Sequence, residues 1–312
     1  MGSHKFFLVV LFISLTSYVY GQGCSDAGFC TMGAMKPDQA YNKNVNFKLR
    51  ALEISQYQGQ TTLSPVINVT TLDFTFGLSE KTSIQLKVPY QWVEGDLGST
   101  SGLADISLSA STNLYSSDKF DINATLGTKI PTGNSNIDTE RGFDYPMYYQ
   151  VSLGSTDLIA GVSLISKGWL IAAGYQQAFG TNGNQFRFEQ WAGFENQEYL
   201  LMHDLSENLR RGTDVMLRVE RNFRFSRINF NVGLLPIWRI TRDEILNPSS
   251  NERVKLPGTT GLALSGLMGV GYQFNVHNGV KFIYGVKISQ RSVNPDELTR
   301  DSVLSIAYVV RF

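Results

Sequence analysis

The sequence predicts an all-β protein, a 12-stranded antiparallel transmembrane β-barrel with short periplasmic turns and long external loops. Apolar and polar residues alternate along many segments, which gives each strand one apolar and one polar face. The last segment, residues 301–312, shows this pattern most clearly. No apolar run beyond the N-terminus approaches the roughly 20 residues that a membrane helix requires. The sequence therefore predicts that the chain crosses the membrane with β-strands.

The composition supports this fold class and excludes one class of partner. Charged residues make up 17% of the 312 residues, below the roughly 25% of typical soluble domains. The formal net charge is zero, so no basic surface is expected to neutralise phosphates. Nucleic acid is therefore not a predicted partner.

Residues 1–21 are predicted to be a cleaved secretory signal. His4 and Lys5 precede an apolar core at residues 6–15, about the length expected of such signals. A membrane anchor is the disfavoured alternative, because the apolar part is too short. Lipid attachment at Cys24 is a second alternative, but residues 21–23 match the usual small-residue lipobox poorly.

Residues 22–43 show no periodicity and are predicted to form a periplasmic segment that leads into the barrel or partly plugs it. Cys24 and Cys30 are the only cysteines, and in an exported protein such a pair is most simply a disulfide. Met32 and Met35 follow closely, so a Cu(I) site is the alternative. No metal or other cofactor is predicted.

The barrel itself is predicted over residues 44–312. In the third strand, for example, Ile84, Leu86 and Val88 face lipid while Gln85 and Lys87 face the lumen. An even strand count brings both termini to the same side. The strands are predicted at residues 44–58, 64–78, 82–93, 103–114, 120–130, 156–165, 168–179, 213–223, 227–241, 262–275, 279–291 and 301–312.

The first strand is irregular, because its alternation changes phase near Ala51 and Leu52, which predicts a β-bulge. The connections between strands alternate in length, as in outer-membrane barrels. The short turns are at residues 78–82, 115–119, 166–168, 223–227 and 275–279. The mostly longer external loops are at 58–63, 94–102, 131–155, 180–212, 242–261 and 292–300.

Charged residues on the inward parity are candidates for lining the lumen. Strands two to six offer mostly acids, whereas strands nine to twelve are predicted to offer cations and no inward acid. Such opposed walls would create a transverse field that orients a charged solute. The alternative is a narrow lumen filled by ion pairs. The candidates are Asp73, Lys87, Asp105, Asp121, Lys129, Asp157, Arg218, Glu220, Arg239, Lys281, Lys287 and Arg311.

The longest loop, residues 180–212, is rich in aromatic residues, with a short helix predicted within 195–210. Exposed aromatic residues are enriched at partner sites, so this loop is a candidate binding surface. The alternatives are that the loop folds inward as a constriction, or that its aromatic residues pack against neighbouring loops. The loop-binding candidates are Phe186, Phe188, Trp191, Phe194 and Tyr199.

No catalytic motif is present, so the protein is not predicted to be an enzyme. The G-x-S-x-G, H-E-x-x-H and G-x-x-x-x-G-K patterns are all missing. His203 stands beside Asp204 in the long loop, and we interpret the pair as surface residues.

Two resemblances follow from short motifs. The C-terminal strand, with Tyr308, Val310 and a terminal Phe312, resembles the assembly signal of bacterial outer-membrane proteins. Such a signal implies that barrel-assembly machinery and outer-membrane lipid are partners. Four further segments are similar to bacterial barrels described as MetA-pathway phenol-degradation or transporter-like outer-membrane proteins. These segments are Gly-Leu-Ala-Asp at 102–105, Leu-Gly-Thr-Lys-Ile-Pro-Thr-Gly at 126–133, Val-Pro-Tyr at 88–90 and Ser-Leu-Gly at 152–154.

The second resemblance covers mainly residues 70–175 and implies a barrel that passes small, often hydrophobic compounds. We therefore expect an outer-membrane protein that allows passive passage of a small solute. The alternative is a non-channel barrel that serves as a scaffold or accessory subunit. In that case it would contact other envelope proteins through its external loops or residues 22–43.

Overall fold

The computed structural model describes residues 32, 35, 48–61, 63–203, 205–247, 250–296 and 298–312. The predicted signal at 1–21 and the predicted disulfide between Cys24 and Cys30 lie outside the described residues. Within the described ranges, no helix is long and apolar enough to cross a membrane.

The described residues form a closed antiparallel barrel and one small separate hairpin. The strands are β1 (Lys48–Thr61), β2 (Val66–Gly77), β3 (Thr82–Gly95), β4 (Gly98–Leu103), β5 (Ile106–Ser116), β6 (Phe120–Ile130), β7 (Thr156–Ser166), β8 (Trp169–Phe179), β9 (Asp214–Phe225), β10 (Ile228–Arg239), β11 (Glu244–Leu246), β12 (Arg253–Lys255), β13 (Gly261–Gln273), β14 (Asn278–Ser289) and β15 (Arg300–Arg311). β4 and β5 both pair with β3 and together occupy one strand position in the barrel. The barrel therefore has the twelve strand positions that were predicted.

The first and last barrel strands close the cylinder. β1 pairs antiparallel with β15, with Ala51 opposite Arg311, and the Phe312 amide donates to the Arg50 carbonyl at 2.9 Å. The register of β1 against β2 shifts between Leu49 and Ala51, which confirms the bulge predicted there. Within the described residues, the twelve strand positions thus form a closed ring of antiparallel pairs, as hydrocarbon requires.

The two faces of the strands differ as the alternation predicts. Outward residues such as Leu126, Phe282 and Ile306 stay 59%, 41% and 50% exposed, although they are large and apolar. Inward positions are buried and largely polar, for example Ser109 and Thr125. An apolar exterior around a polar interior suits a lipid environment.

Two of the connections differ from the prediction, and a third agrees with it. The expected loop at 94–102 is a tight hairpin between β3 and β4, where Gly98 takes a φ of +135° that other residues rarely adopt. The loop at 242–261 contains the hairpin of β11 and β12. The short helix predicted within 195–210 is present at Gln197–Leu201, where the Asn196 side chain accepts a hydrogen bond from the Tyr199 amide.

Candidate functional site

The charges inside the barrel are paired locally. Lys87 lies opposite Asp73 across β2 and β3, with 3.9 Å between Nζ and Oδ2. Lys129 Nζ lies 3.4 Å from Asp105 Oδ2. Each cation on this side of the lumen therefore has a carboxylate as its neighbour, and the acids do not form an uncompensated wall.

The cations on the opposite side are also paired, which corrects the predicted basic wall. Lys281 Nζ lies 3.6 Å from Glu53 Oε2, across the junction of the last and first strands. Lys287 contacts Asp301, which faces inward from β15. The expectation that strands nine to twelve carry no inward acid is therefore wrong. The sequence could have shown this inward acid, because Asp301 and Arg311 are both at odd positions of the same strand and therefore point to the same face.

The remaining lumen candidates are divided between the middle and the rim of the barrel. Arg218 and Glu220, two residues apart on β9, form a buried pair at 2.7 Å. Asp121 lies at the short-turn end, where it accepts a hydrogen bond from Ser116. Arg311 is half-buried at the same end. Both residues therefore lie at the rim, and whether they line the lumen stays a prediction.

A cluster of arginines and aspartates lies where the barrel meets its long loops. Arg239 holds Asp214 through two bonds of 2.7 and 2.8 Å, and also contacts Asp243 at 2.6 Å and Asp296 at 2.8 Å. Arg291 binds Asp296 at 3.2 Å. Because Asp243 and Asp296 lie in different loops, the cluster ties both loops to the barrel wall.

Arg211, in the longest loop, contacts the predicted lumen residue Asp157 in the same way. Burial raises the pKa of the Asp243 carboxyl despite the neighbouring Arg239. Burial also tends to raise the pKa of Asp296, but Arg239, Arg291 and Arg211 outweigh it and hold that pKa below its ordinary value. The loop members of this cluster were missed because loops carry no periodicity.

A cavity of about 210 Å³ lies inside the barrel. It lies against the part of the barrel wall formed by β1 to β3 and β13 to β15. Residues around Met147 and Leu298 cover it. Its apolar lining includes Tyr57, Ile67, Val69, Leu267, Ile283, Val303 and Ala307. The paired charges Asp73, Lys87, Asp105, Lys129, Glu53 and Lys281 also reach it. The apolar residues of this lining were not predicted. The alternation pattern assigns apolar residues to the lipid face, and these residues face inward instead.

The short motifs behind the family resemblance meet beside this cavity. The Ala104 amide donates to the Pro89 carbonyl at 2.9 Å, and Asp105 Oδ2 accepts from the Leu153 amide at 3.0 Å. Thr132 Oγ1 donates to the Ala104 carbonyl at 2.9 Å. The four motifs therefore fix the interruption between β4 and β5 and hold residues 147–153 over the lumen.

The aromatic residues of the longest loop turn inward. Phe186, Trp191 and Tyr199 are buried, and Phe188 and Phe194 pack against the same cluster. This cluster also contains the inward barrel residues Ile67, Val69 and Val93, with Tyr145, Tyr148 and Tyr149 from the preceding loop. The loop therefore folds inward as a buried cap, which is the first of the two predicted arrangements, and whether any of the five binds a partner stays a prediction.

Hydrogen bonds join this cap to the barrel. The Tyr199 hydroxyl lies 2.7 Å from Ser64 Oγ and 3.2 Å from the Tyr149 hydroxyl. His203 is also buried, edge-on to Tyr199 with ring centroids 4.9 Å apart. The interpretation of His203 as a surface residue is therefore wrong, and Asp204 lies outside the described residues.

Met32 and Met35, which precede the first strand, lie inside the barrel and are 1% and 0% exposed. A β-carbon added to Gly127 would lie 2.8 Å from Met32 Sδ, and one added to Gly161 would lie 2.7 Å from Met35 Sδ. The two wall glycines thus leave room for the two thioethers. The surrounding cluster contains Ile159, Leu170, Ala172, Met216, Leu235 and Leu267.

The residues of the predicted assembly signal lie on the outer face of the closing strand. Tyr308 and Phe312 are 44% and 50% exposed, and the Tyr308 hydroxyl donates to Asn278 Oδ1 at 2.9 Å. Val310 pairs with Leu52 of β1 at the closure. Recognition of this strand by assembly machinery stays a prediction.

Comparison with solved structures identifies outer-membrane barrels. The COG4313 outer membrane channel from Pseudomonas putida F1 superposes with a TM-score of 0.60 at 13% identity, over 88% of this chain and 99% of that one. The KdgM porin gives 0.44 at 7% identity, over 84% and 99%. The CymD monoaromatic hydrocarbon channel gives 0.42 at 11%, over 95% and 94%. No protein-family model and no curated protein matches the sequence.

Proposed function

We propose that this barrel is an outer-membrane channel for passive passage of a small, mainly apolar and uncharged solute. The observation that carries the proposal is the 210 Å³ cavity within the closed barrel. Its wall combines apolar side chains with charges that already have partners. An ion entering this space would lose hydration without meeting an unpaired countercharge, whereas a neutral apolar solute would lose little.

Two further observations support the proposal. The fold is shared with the COG4313 outer membrane channel. Among the four short motifs that resemble the phenol-degradation and transporter-like barrels, the motif at 102–105 is hydrogen-bonded to the other three beside the cavity. We place the protein in the outer membrane of a Gram-negative cell, after export by a cleaved signal. In that setting lipid and barrel-assembly machinery are its partners.

Permeation of vesicles carrying the purified full chain tests the proposal. A small neutral aromatic solute and a carboxylated solute of similar size would be followed separately. We expect faster entry of the neutral solute and a low ionic conductance in planar bilayers. If protein-free vesicles take up the neutral solute at the same rate, the protein is not a channel for it. If the charged solute passes faster than the neutral one, the proposed selectivity is wrong.

A matched pair of variants locates the path. Val69→Trp places a large ring in the cavity from β2, whereas Leu72→Trp places the same ring on the lipid face of that strand. We expect only Val69→Trp to slow entry. If no form passes solute, sizing after gentle detergent extraction would test the scaffold alternative by looking for a larger complex.

A further inference from the structure

Arg221 interrupts the apolar outer face of strand β9. The outward residues of β9 are Val215, Leu217 and Val219, followed by Arg221 and Phe223. Arg221 lies directly opposite Trp169, the first residue of β8, next to a short turn. A charge on the lipid side is unfavourable by an amount that falls toward the interface, so its position near a strand end is tolerable. Its presence there still needs a reason.

The Arg221 side chain is held between two aromatic rings. Its guanidinium carbon lies 5.1 Å from the centroid of Trp169 and 5.4 Å from that of Phe223. Cation–π attraction is significant at such distances. A β-carbon on Gly168 would lie 2.9 Å from Arg221 Nη1, so this glycine leaves the guanidinium its space. The side chain is therefore fixed in place at the surface.

Ring contacts occupy the faces of a guanidinium and leave the N–H groups on its edges available. No carboxylate among the described residues makes an ion pair with Arg221. A guanidinium presents five donors in a planar fork that matches the geometry of phosphate. No carboxylate of the described residues therefore serves this fork, and a lipid phosphate can supply the acceptor.

The surroundings of Arg221 favour an anion. A groove of about 660 Å³ runs beside it, between the short turns, and Lys119, Lys167 and Arg224 also line it. Two acids, Asp118 and Asp121, reach the same groove, and Asp121 is bonded to Ser116. Cations thus outnumber carboxylates, four to two, at the level where lipid headgroups lie.

We propose that this groove binds the phosphate headgroup of an anionic phospholipid from the leaflet that meets the short-turn rim. Arg221 binds the phosphate oxygens with its fork, and the lysines add attraction at the membrane surface. Ile171 and Leu234, 42% and 49% exposed, both lie opposite Val219 on the membrane side of Arg221 and provide apolar surface for acyl chains. This apolar surface favours a lipid over free phosphate. The proposal does not depend on solute passage.

Native mass spectrometry of the full chain, released from nanodiscs of phosphatidylcholine with phosphatidylglycerol, tests the site. We expect wild-type protein to retain phosphatidylglycerol, and Arg221→Gln to bind it about tenfold more weakly, as the loss of one charge-assisted contact implies. Arg227→Gln is the matched control, because Arg227 lies in the turn of the same hairpin but does not line the groove. It should retain the lipid.

Further arms separate the alternatives. Arg221→Lys keeps the charge but loses the planar fork, so we expect intermediate retention, and it keeps the test open if Arg221→Gln does not fold. Excess inorganic phosphate should not displace the lipid. Unchanged retention in both Arg221 variants would overturn the proposal. So would equal losses in Arg221→Gln and Arg227→Gln, which indicate unspecific attraction, or full displacement by inorganic phosphate.

Discussion

Replacing Met32 and Met35 together by alanine should open the lumen. Each substitution removes three buried side-chain heavy atoms from an apolar cluster at the barrel wall. At about 0.8 kcal/mol per buried methylene-sized group, the loss is roughly 2.4 kcal/mol per methionine and about 5 kcal/mol for the pair. That corresponds to a change on the order of a thousandfold in the equilibrium between the docked and released side chains.

Single-channel recording in planar bilayers measures the effect. We expect the double variant to show a larger conductance or a much higher open probability than the wild type. Met202→Ala is the matched control, because Met202 is 58% exposed in the longest loop and contributes nothing to the lumen cluster. If the double variant conducts like the wild type and the control, the methionines do not obstruct the path.

Three other perturbations test the loop attachments. Arg239→Gln leaves three buried carboxylates without their shared partner and should lower the free energy of unfolding by roughly 3–5 kcal/mol in urea titrations. The exposed pair of Arg210 with Glu244 should contribute no more than about 1 kcal/mol, so Arg210→Gln is its control. Because the pKa of Asp296 is lowered in the folded state, its stabilisation is present above its ordinary value of 3.8 and is lost as the pH falls below it. Asp296→Asn should therefore flatten the acid limb of the unfolding profile, and an unchanged limb would contradict this assignment. Tyr199→Phe removes two hydroxyl contacts and should speed proteolysis of residues 180–212, consistent with a loss of about 1 kcal/mol, whereas Tyr175→Phe on the lipid face should not.

The fold was predictable because the lipid imposes its requirement on each strand separately. Ile306 and Phe282 face outward wherever the strands lie relative to one another, so local alternation suffices to place them. The fifth predicted strand coincides with β6, and the bulge before Ala51 follows from a change of parity within one strand. The hairpin at Gly98 was missed, because alternation does not show how tightly two strands are joined.

The lumen was less predictable, because its properties depend on neighbours distant in sequence. Lys281 meets Glu53 only because the last strand closes on the first. Asp296 reaches Arg239 from another loop, and no periodic pattern records that approach. Of the two predicted arrangements, the local ion pairs are therefore present and the transverse field is not, because parity gives the direction of a charged side chain but not the charge it meets.

By itself, the sequence determined that the chain crosses a membrane as a closed set of strands with alternating apolar and polar residues. Each residue that faces lipid must itself be apolar, so the pattern is visible within every strand. Only the tertiary structure decided what fills the barrel. The aromatic loop turns inward as a cap, Met32 and Met35 occupy space left by Gly127 and Gly161, and a cavity remains beside paired charges. Packing and ion pairing are set by distances between remote segments, and those distances exist only once the cylinder has closed.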